Sequence, residues 1–421
     1  MSLALPRLRT APQHETATGT SAGRPGPAHH PPETARSALR GTRRRTVAAL
    51  LGCAAVAAYT GLRMPSGWTA TLQAVSLQDG FHRRFLIGSL LHPIASRTGY
   101  PYLLFAAVSF AVLAGLVAVL VYAAATTRHP ARRYLVMAFL LLPTGGYLFH
   151  VVGYFDQVLY LLLFGALWLL ARGRVHAAGL VVAAATTVHE ITVLTVLPLF
   201  LLAATRTLPP RRALTAVLPA TVAGLVVLLV PASSAGATGN LGGTLAADHF
   251  PVRTDALDLF GRTQSDSWQL FSPWEVLVFL LPLTVVLGAA VLCFARGTRL
   301  GGRPLVLLSL AAALAPAALA FAGWDMERWA FLLVANFCVV TWFWLGERPS
   351  PARPFVQALS RTPASATRAA CTDSALHIVD VGCYTVSPIR NRRNWFRPWA
   401  MPSPRPYHLS ALGTPYWGGS A

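Results

Sequence analysis

The chain has 421 residues, 54% of them hydrophobic and 12% charged, with a mean hydropathy of +0.51. Soluble globular chains carry roughly 25% charged residues, so an ordinary soluble domain is excluded and an all-α, polytopic membrane bundle is expected. The net charge is +20, and although the pI near 11.1 also suits a nucleic-acid binder, Arg excess on cytoplasmic segments of a polytopic protein accounts for it; no nucleic-acid partner is expected.

All 35 Lys+Arg positions are Arg, and Gly and Pro are abundant at 33 and 31; this codon bias points to a GC-rich, bacterial genome. Residues 1–45 hold eight Arg and two Glu and are rich in Pro, Gly and Thr without an apolar period. They read as a disordered, basic cytoplasmic tail. The run "TVAALLGCAAVAAYTGL" follows. The leader ahead of it is too long for a signal peptide and many spans come after, so an uncleaved first span is expected.

About twenty apolar residues cross a bilayer core. Runs of that kind cover 46–62, 102–125, 133–150, 152–171, 213–231, 274–295, 304–322 and 328–345. The run 175–204 is longer, and His189-Glu190 and Pro198 interrupt it. Short connections carrying Arg128, Arg132 and Arg133; Arg172 and Arg174; Arg206, Arg211 and Arg212; and Arg296, Arg299 and Arg303 contain no acidic residue. The positive-inside bias places all of these in the cytoplasm. Two of them flank 175–204, so that run is expected to turn back on itself at His189-Glu190. The alternative, one tilted span, strands a basic loop outside. The hairpin gives about ten membrane segments in 46–346, with both tails cytoplasmic. Ten of the fifteen acidic residues then lie at the outer face: Asp79, Asp156, Glu190, Asp248, Asp255, Asp258, Asp266, Glu275, Asp325 and Glu327.

In the first outer loop, 63–101, two short apolar stretches flank Asp79-Gly80-Phe81-His82-Arg83-Arg84. Interfacial or re-entrant helices around a polar turn are expected. The guanidinium fork suits phosphate, and an ionised Asp beside it can accept a proton; the plainer reading is a solvated turn touching lipid phosphates. His150 and Asp156 lie between two spans joined by almost no loop, where Asp156 also fits a helix-capping role. A Glu in hydrocarbon costs about 2.5 kcal/mol or more, which makes His189 and Glu190 candidates for chemistry; the structural alternative is a pair with a first-loop Arg. The second His of a zinc H-E-x-x-H is missing, since Val193 and Leu194 follow. Asp325, Glu327 and Arg328 sit between the last two spans beside Trp324 and Trp329, with Asp325 and Arg328 spaced to pair across a helical turn.

The longest outer loop, 232–273, has Asp248, Asp255, Asp258 and Asp266 at intervals too irregular for a calcium loop and reads as a partly helical lid. Cysteines 53, 293, 338, 371 and 383 form neither a disulfide framework nor a metal pattern. The segment 347–421, rich in Pro and Arg, reads as a second disordered cytoplasmic tail.

An uncleaved first span, an Asp in the first outer loop, further outer carboxylates and Arg, and a large late outer loop together resemble the GT-C superfamily of membrane glycosyltransferases over 46–346. The resemblance implies sugar transfer from a polyprenyl-phosphate donor to a glycan or lipid acceptor at the outer face of the plasma membrane. It implies Asp79 as the general base that activates the acceptor hydroxyl; Glu190 and His189 join it as catalytic candidates on the membrane-depth argument above. It also implies that Arg83, Arg84 or Arg328 holds the lipid phosphate, while the segment reading adds His82, His150, Asp156, Asp325 and Glu327 to these arginines as candidate substrate-binding residues. Members often carry an acidic pair in this loop, whereas Asp79 stands between Gln78 and Gly80. No cofactor is expected and a divalent metal has no ligand pattern to hold it. The competing expectation is a transporter, flippase or polymerase of lipid-linked glycans, because transporters place ionisable residues in broken helices near the bilayer midplane.

Overall fold

The computed structural model describes residues 33–230, 235–258, 269, 273–295, 298–323 and 325–345. The tail expectations for 1–32 and 347–421, together with Asp266, Trp324, Cys371 and Cys383, lie outside the described residues. Met1–Thr42 and Arg43–Ala421 form separate compact units; in the first, only the helical stretch from Glu33 is described.

The described elements of the second unit are all helical. In chain order they are α1 (Glu33–Gly61, from Arg43 on), α2 (Gly67–Ala74), a 3-10 turn at Leu77–Asp79, α3 (Leu86–Thr98), α4 (Tyr102–Thr126), α5 (Pro130–Leu141), α6 (Pro143–His150) and α7 (Phe155–Ala171). After these come α8 (Val175–Val188), α9 (Thr192–Thr207), α10 (Pro210–Leu229), α11 (Ala235–Ala247), α12 (Thr254–Asp258), α13 (Pro273–Ala295), α14 (Thr298–Leu314), a 3-10 stretch at Ala315–Phe321 and α15 (Met326–Trp344).

Among the described residues, five helical stretches are long and apolar enough to cross a membrane: Tyr102–Thr126, Pro210–Leu229, Pro273–Leu292, Pro304–Phe321 and Met326–Trp344. The face of α10 that carries Leu214, Leu218, Leu225 and Leu229 is exposed, as a lipid-facing stripe must be when no aqueous solvent penalises it. The chain is therefore an α-helical membrane protein.

The expected span 133–150 is not one helix. Pro143 lacks the N–H needed to continue α5, and the chain restarts there as α6, with Leu142 extended at φ −73 and ψ 166. α6 and α7 then meet at 108°. In the first outer loop, α3 exposes Leu90 and Ile94, as an interfacial helix does. α2 departs from that expectation: Thr69 through Ala74 are all buried, because α3 and α12 pack over it.

Side-chain contacts fix the run of the bundle helices. Arg328 at the start of α15 meets Asp156 at the start of α7, and Tyr160 Oη donates to Asn336 Oδ1 at 2.8 Å, so these helices are parallel. Asn336 Nδ2 donates to the Thr195 carbonyl of α9 at 3.0 Å, and Arg206 at the end of α9 lies over the Trp344 ring at the end of α15. Thus α9 runs with them, and α8 must return from the end of α7 to the start of α9. The run 175–204 turns back at His189-Glu190. Its two helices have 14 and 16 residues, which brings the polar break to the same end of the bundle as Asp156 and Arg328.

Candidate functional site

Where α7, α9 and α15 begin, the bundle opens into a chamber of about 990 Å³. Three breaks in helical structure deliver most of its charged groups: the turn before α3, the hinge between α8 and α9, and the start of α15. From the turn come Arg83 and Arg84, from the hinge His189 and Glu190, and from α15 Asp325, Glu327 and Arg328. Apolar walls are supplied by Trp68, Leu72, Phe155, Leu194 and Leu319.

Two guanidinium–carboxylate forks organise the wall. Arg84 donates from Nε to both Glu190 oxygens at 3.2 and 3.1 Å, and from Nη2 to Oε1 at 2.6 Å. This is the pair with a first-loop Arg that the sequence left open for Glu190. The same carboxylate meets His189 Nδ1 at 2.9 Å. The second fork lies deeper: Arg328 Nε and Nη2 each donate to Asp156 at 2.7 Å, with Asp156 fully buried. Arg328 also lies over the rings of Tyr154 and Trp329, 5.0 and 5.3 Å from their centroids. Asp156 is thus a salt-bridge partner and not a cap. The Asp325–Arg328 side-chain pair expected from spacing is replaced by Arg328–Asp156, because the guanidinium reaches across to α7.

Asp325 precedes α15 without making a side-chain capping bond. Burial raises its carboxyl above the ordinary aspartate range, and the Asp156 and Glu327 carboxylates add to the rise against the lowering effect of Arg328. Glu275, at the start of α13, lines the chamber, and its Oε2 is buried without a hydrogen-bond partner. Asp255 also lines it and is held by Arg253 at 2.7 Å. The sequence places Glu275 and Asp255 among the outer-face acids without marking either as a site residue; the signal for Glu275 is a lone carboxylate opening an apolar run.

Other expected site residues fall elsewhere. Asp79 is not in the chamber wall. Its Oδ2 accepts from the Ser76 N–H and from Ser76 Oγ, each at 2.8 Å, which closes the 3-10 turn before Gly80, whose φ of 98 suits glycine. His82 is buried beneath that turn, with Nε2 donating to the Asp79 carbonyl at 3.0 Å. These two residues shape the loop that presents Arg83 and Arg84. His150 is exposed and lines a neighbouring cleft of about 520 Å³ between α1 and α6, to which Glu327 also contributes. Among the described residues, no three His, Cys, Asp or Glu side chains gather as a metal-ligand set.

The chamber therefore combines an exposed Arg83, two arginines already held by carboxylates, and carboxylates at Glu275, Asp325 and Glu327, backed by apolar wall. It can receive an anionic group and a hydroxyl-bearing one side by side. No family model, no curated protein and no solved structure matches this chain.

Proposed function

We propose that the protein is a membrane glycosyltransferase that moves a sugar from a polyprenyl-phosphate donor to a glycan or lipid acceptor at the outer face of the plasma membrane. In this reading the bundle has about ten membrane segments, the α8–α9 hairpin counting as two, and both termini are cytoplasmic. The observation that carries the proposal is one chamber in which Arg83, Arg84 and Arg328 stand with Glu190, Glu275, Asp325 and Glu327, at the bundle end opposite the Arg-rich connections. A phosphate leaving group requires guanidinium or metal charge, an acceptor hydroxyl requires a base, and a lipid tail requires apolar wall; all three needs are met within this space.

The test is sugar transfer from a radiolabelled polyprenyl-phosphate hexose by membranes that contain or lack the protein. Transfer that depends on the wild-type protein, and falls at least tenfold in Glu190→Gln at equal protein level, supports the proposal. No protein-dependent glycosidic product would remove it. A second reading, transport of a lipid-linked glycan, is favoured by the His189-Glu190 hinge between two short apolar helices. Movement of labelled glycan lipid across reconstituted vesicles without a new glycosidic bond would select that reading.

A further inference from the structure

We infer that His189 is the proton acceptor of the transfer, with Glu190 as its positioning residue and Arg84 as the anchor of Glu190; the inference rests on the transferase reading above. His189 occupies the chamber wall at the α8–α9 hinge, its side chain 1% exposed. Nδ1 lies 2.9 Å from Glu190 Oε2. The Ile191 N–H donates to Nδ1 from 3.4 Å; we assign the hydrogen to Nδ1 nonetheless, because the closer Glu190 carboxylate can only accept and so requires a donor there. That choice leaves Nε2 with a free lone pair, and Nε2 is buried without any hydrogen-bond partner. Buried polar atoms are nearly always satisfied, so an orphaned one calls for a reason. A lone pair kept from protein donors, on a ring whose other nitrogen is held by a carboxylate, is the arrangement of a general base awaiting its substrate.

Three of the other expected acids are already engaged. Arg84 takes both oxygens of Glu190, and Arg328 both oxygens of Asp156. Asp79 is turned to Ser76. The charged groups facing the imidazole are Glu190, Arg84 and Arg328, and the edge of Phe155 packs on it with ring centroids 5.7 Å apart. The acceptor oxygen forms its new bond to the anomeric carbon. The bond from that carbon to the phosphate oxygen breaks, its electron pair leaving with polyprenyl phosphate. The acceptor's proton passes to Nε2, giving an imidazolium that Glu190 stabilises. The departing phosphate or water then takes the proton and restores the neutral ring.

The experiment uses full-length protein in native membranes with radiolabelled polyprenyl-phosphate hexose. His189→Gln is expected to lower the turnover rate about 100-fold or more, with the donor KM within about threefold of wild type. It should also abolish the acid limb of the wild-type pH profile. His189→Gly is expected to regain activity when imidazole is added, which a purely structural role would not produce. Transfer within threefold of wild type in His189→Gln overturns the assignment, as does a loss that leaves the pH profile unchanged and is not rescued by imidazole. A pH profile altered by Asp325→Asn in place of His189→Gln would move the role to Asp325. Absence of transfer in wild-type membranes removes the transferase reading itself, an outcome distinct from these.

Discussion

The two arginine forks differ in depth, and depth decides what their removal does. Arg328 and Asp156 are 8% and 0% exposed, whereas Arg84 and Glu190 are 15% and 19% exposed at the chamber wall. Taking two charges out of water costs several kcal/mol per ion, and losing one partner leaves the other uncompensated, typically at 3–5 kcal/mol. Asp156→Leu and Arg328→Met are therefore each expected to lower the thermal midpoint of the detergent-extracted protein sharply. The double variant should lose less than the sum, and additive losses would show that the pair is not coupled. Asp325 carries a separate, pH-dependent effect. Its folded pKa is raised above the unfolded value of about 3.9, so the folded protein holds the proton more tightly, and stability falls as pH rises through that window. An Asn side-chain oxygen can still accept from the Arg328 backbone N–H that faces this carboxylate, so Asp325→Asn removes this loss at little cost. The variant is expected to melt higher than wild type at pH 7, with the gap closing towards pH 4. A gap constant over that range would contradict the assignment.

At the level of elements, close backbone approach sets the helix packing. A Cβ on Gly179 of α8 would lie 2.2 Å from the Ala216 carbonyl of α10, while one on Gly165 of α7 meets nothing within 4 Å. Small residues at helix contacts let backbones approach, and overpacking a tight site costs typically 1–3 kcal/mol. Gly179→Leu should destabilise the extracted protein in a thermal melt, and Gly165→Ala should leave it unchanged or slightly stabilised. Equal behaviour of the two would argue against the α8–α10 contact. The same elements show what the sequence discloses and what it withholds. Hydropathy located the apolar runs, and the Arg pattern located the turn at His189-Glu190, because both are properties of residues in order. The division of 133–150 at Pro143 was missed because α5 and α6 are continuous in hydropathy, although the Pro-Thr-Gly-Gly string was its local signal. Partner choice was legible only in part. The Arg84–Glu190 pair joins residues 106 apart and was foreseen only as some first-loop Arg. Arg328–Asp156, 172 apart, displaced the nearer Asp325. Asp79 shared a six-residue segment with two chamber arginines, yet chain proximity did not carry it into the wall, because its carboxylate closes its own turn on Ser76.

For the molecule as a whole, opposite ends of the bundle are chemically opposed. At one end Arg132, Arg172 and Arg206 lie over Trp342, Trp168 and Trp344, with guanidinium carbons 4.8, 4.3 and 5.3 Å from the ring centroids. Arginine on tryptophan, at helix ends next to basic connections, suits the interface of a cytoplasmic leaflet, where aromatic belts and positive charge concentrate. At the other end the carboxylates gather in the chamber. If the proposed orientation holds, single cysteines placed at the exposed positions Gln78 and Asp248, in a background stripped of native cysteines, react with a membrane-impermeant maleimide on intact cells. Cysteines at the exposed positions Gly173 and Arg211 react only after permeabilisation. The readout is a gel shift, and the contrast between the pairs of sites matters more than any single yield, since all four positions are exposed. The reverse pattern would turn the chamber towards the cytoplasm and place the Arg-rich connections outside, against the positive-inside bias. A donor presented on the outer leaflet could then not reach Arg83 and Arg84, and the proposed chemistry would have to be replaced by one fed from the cytoplasm.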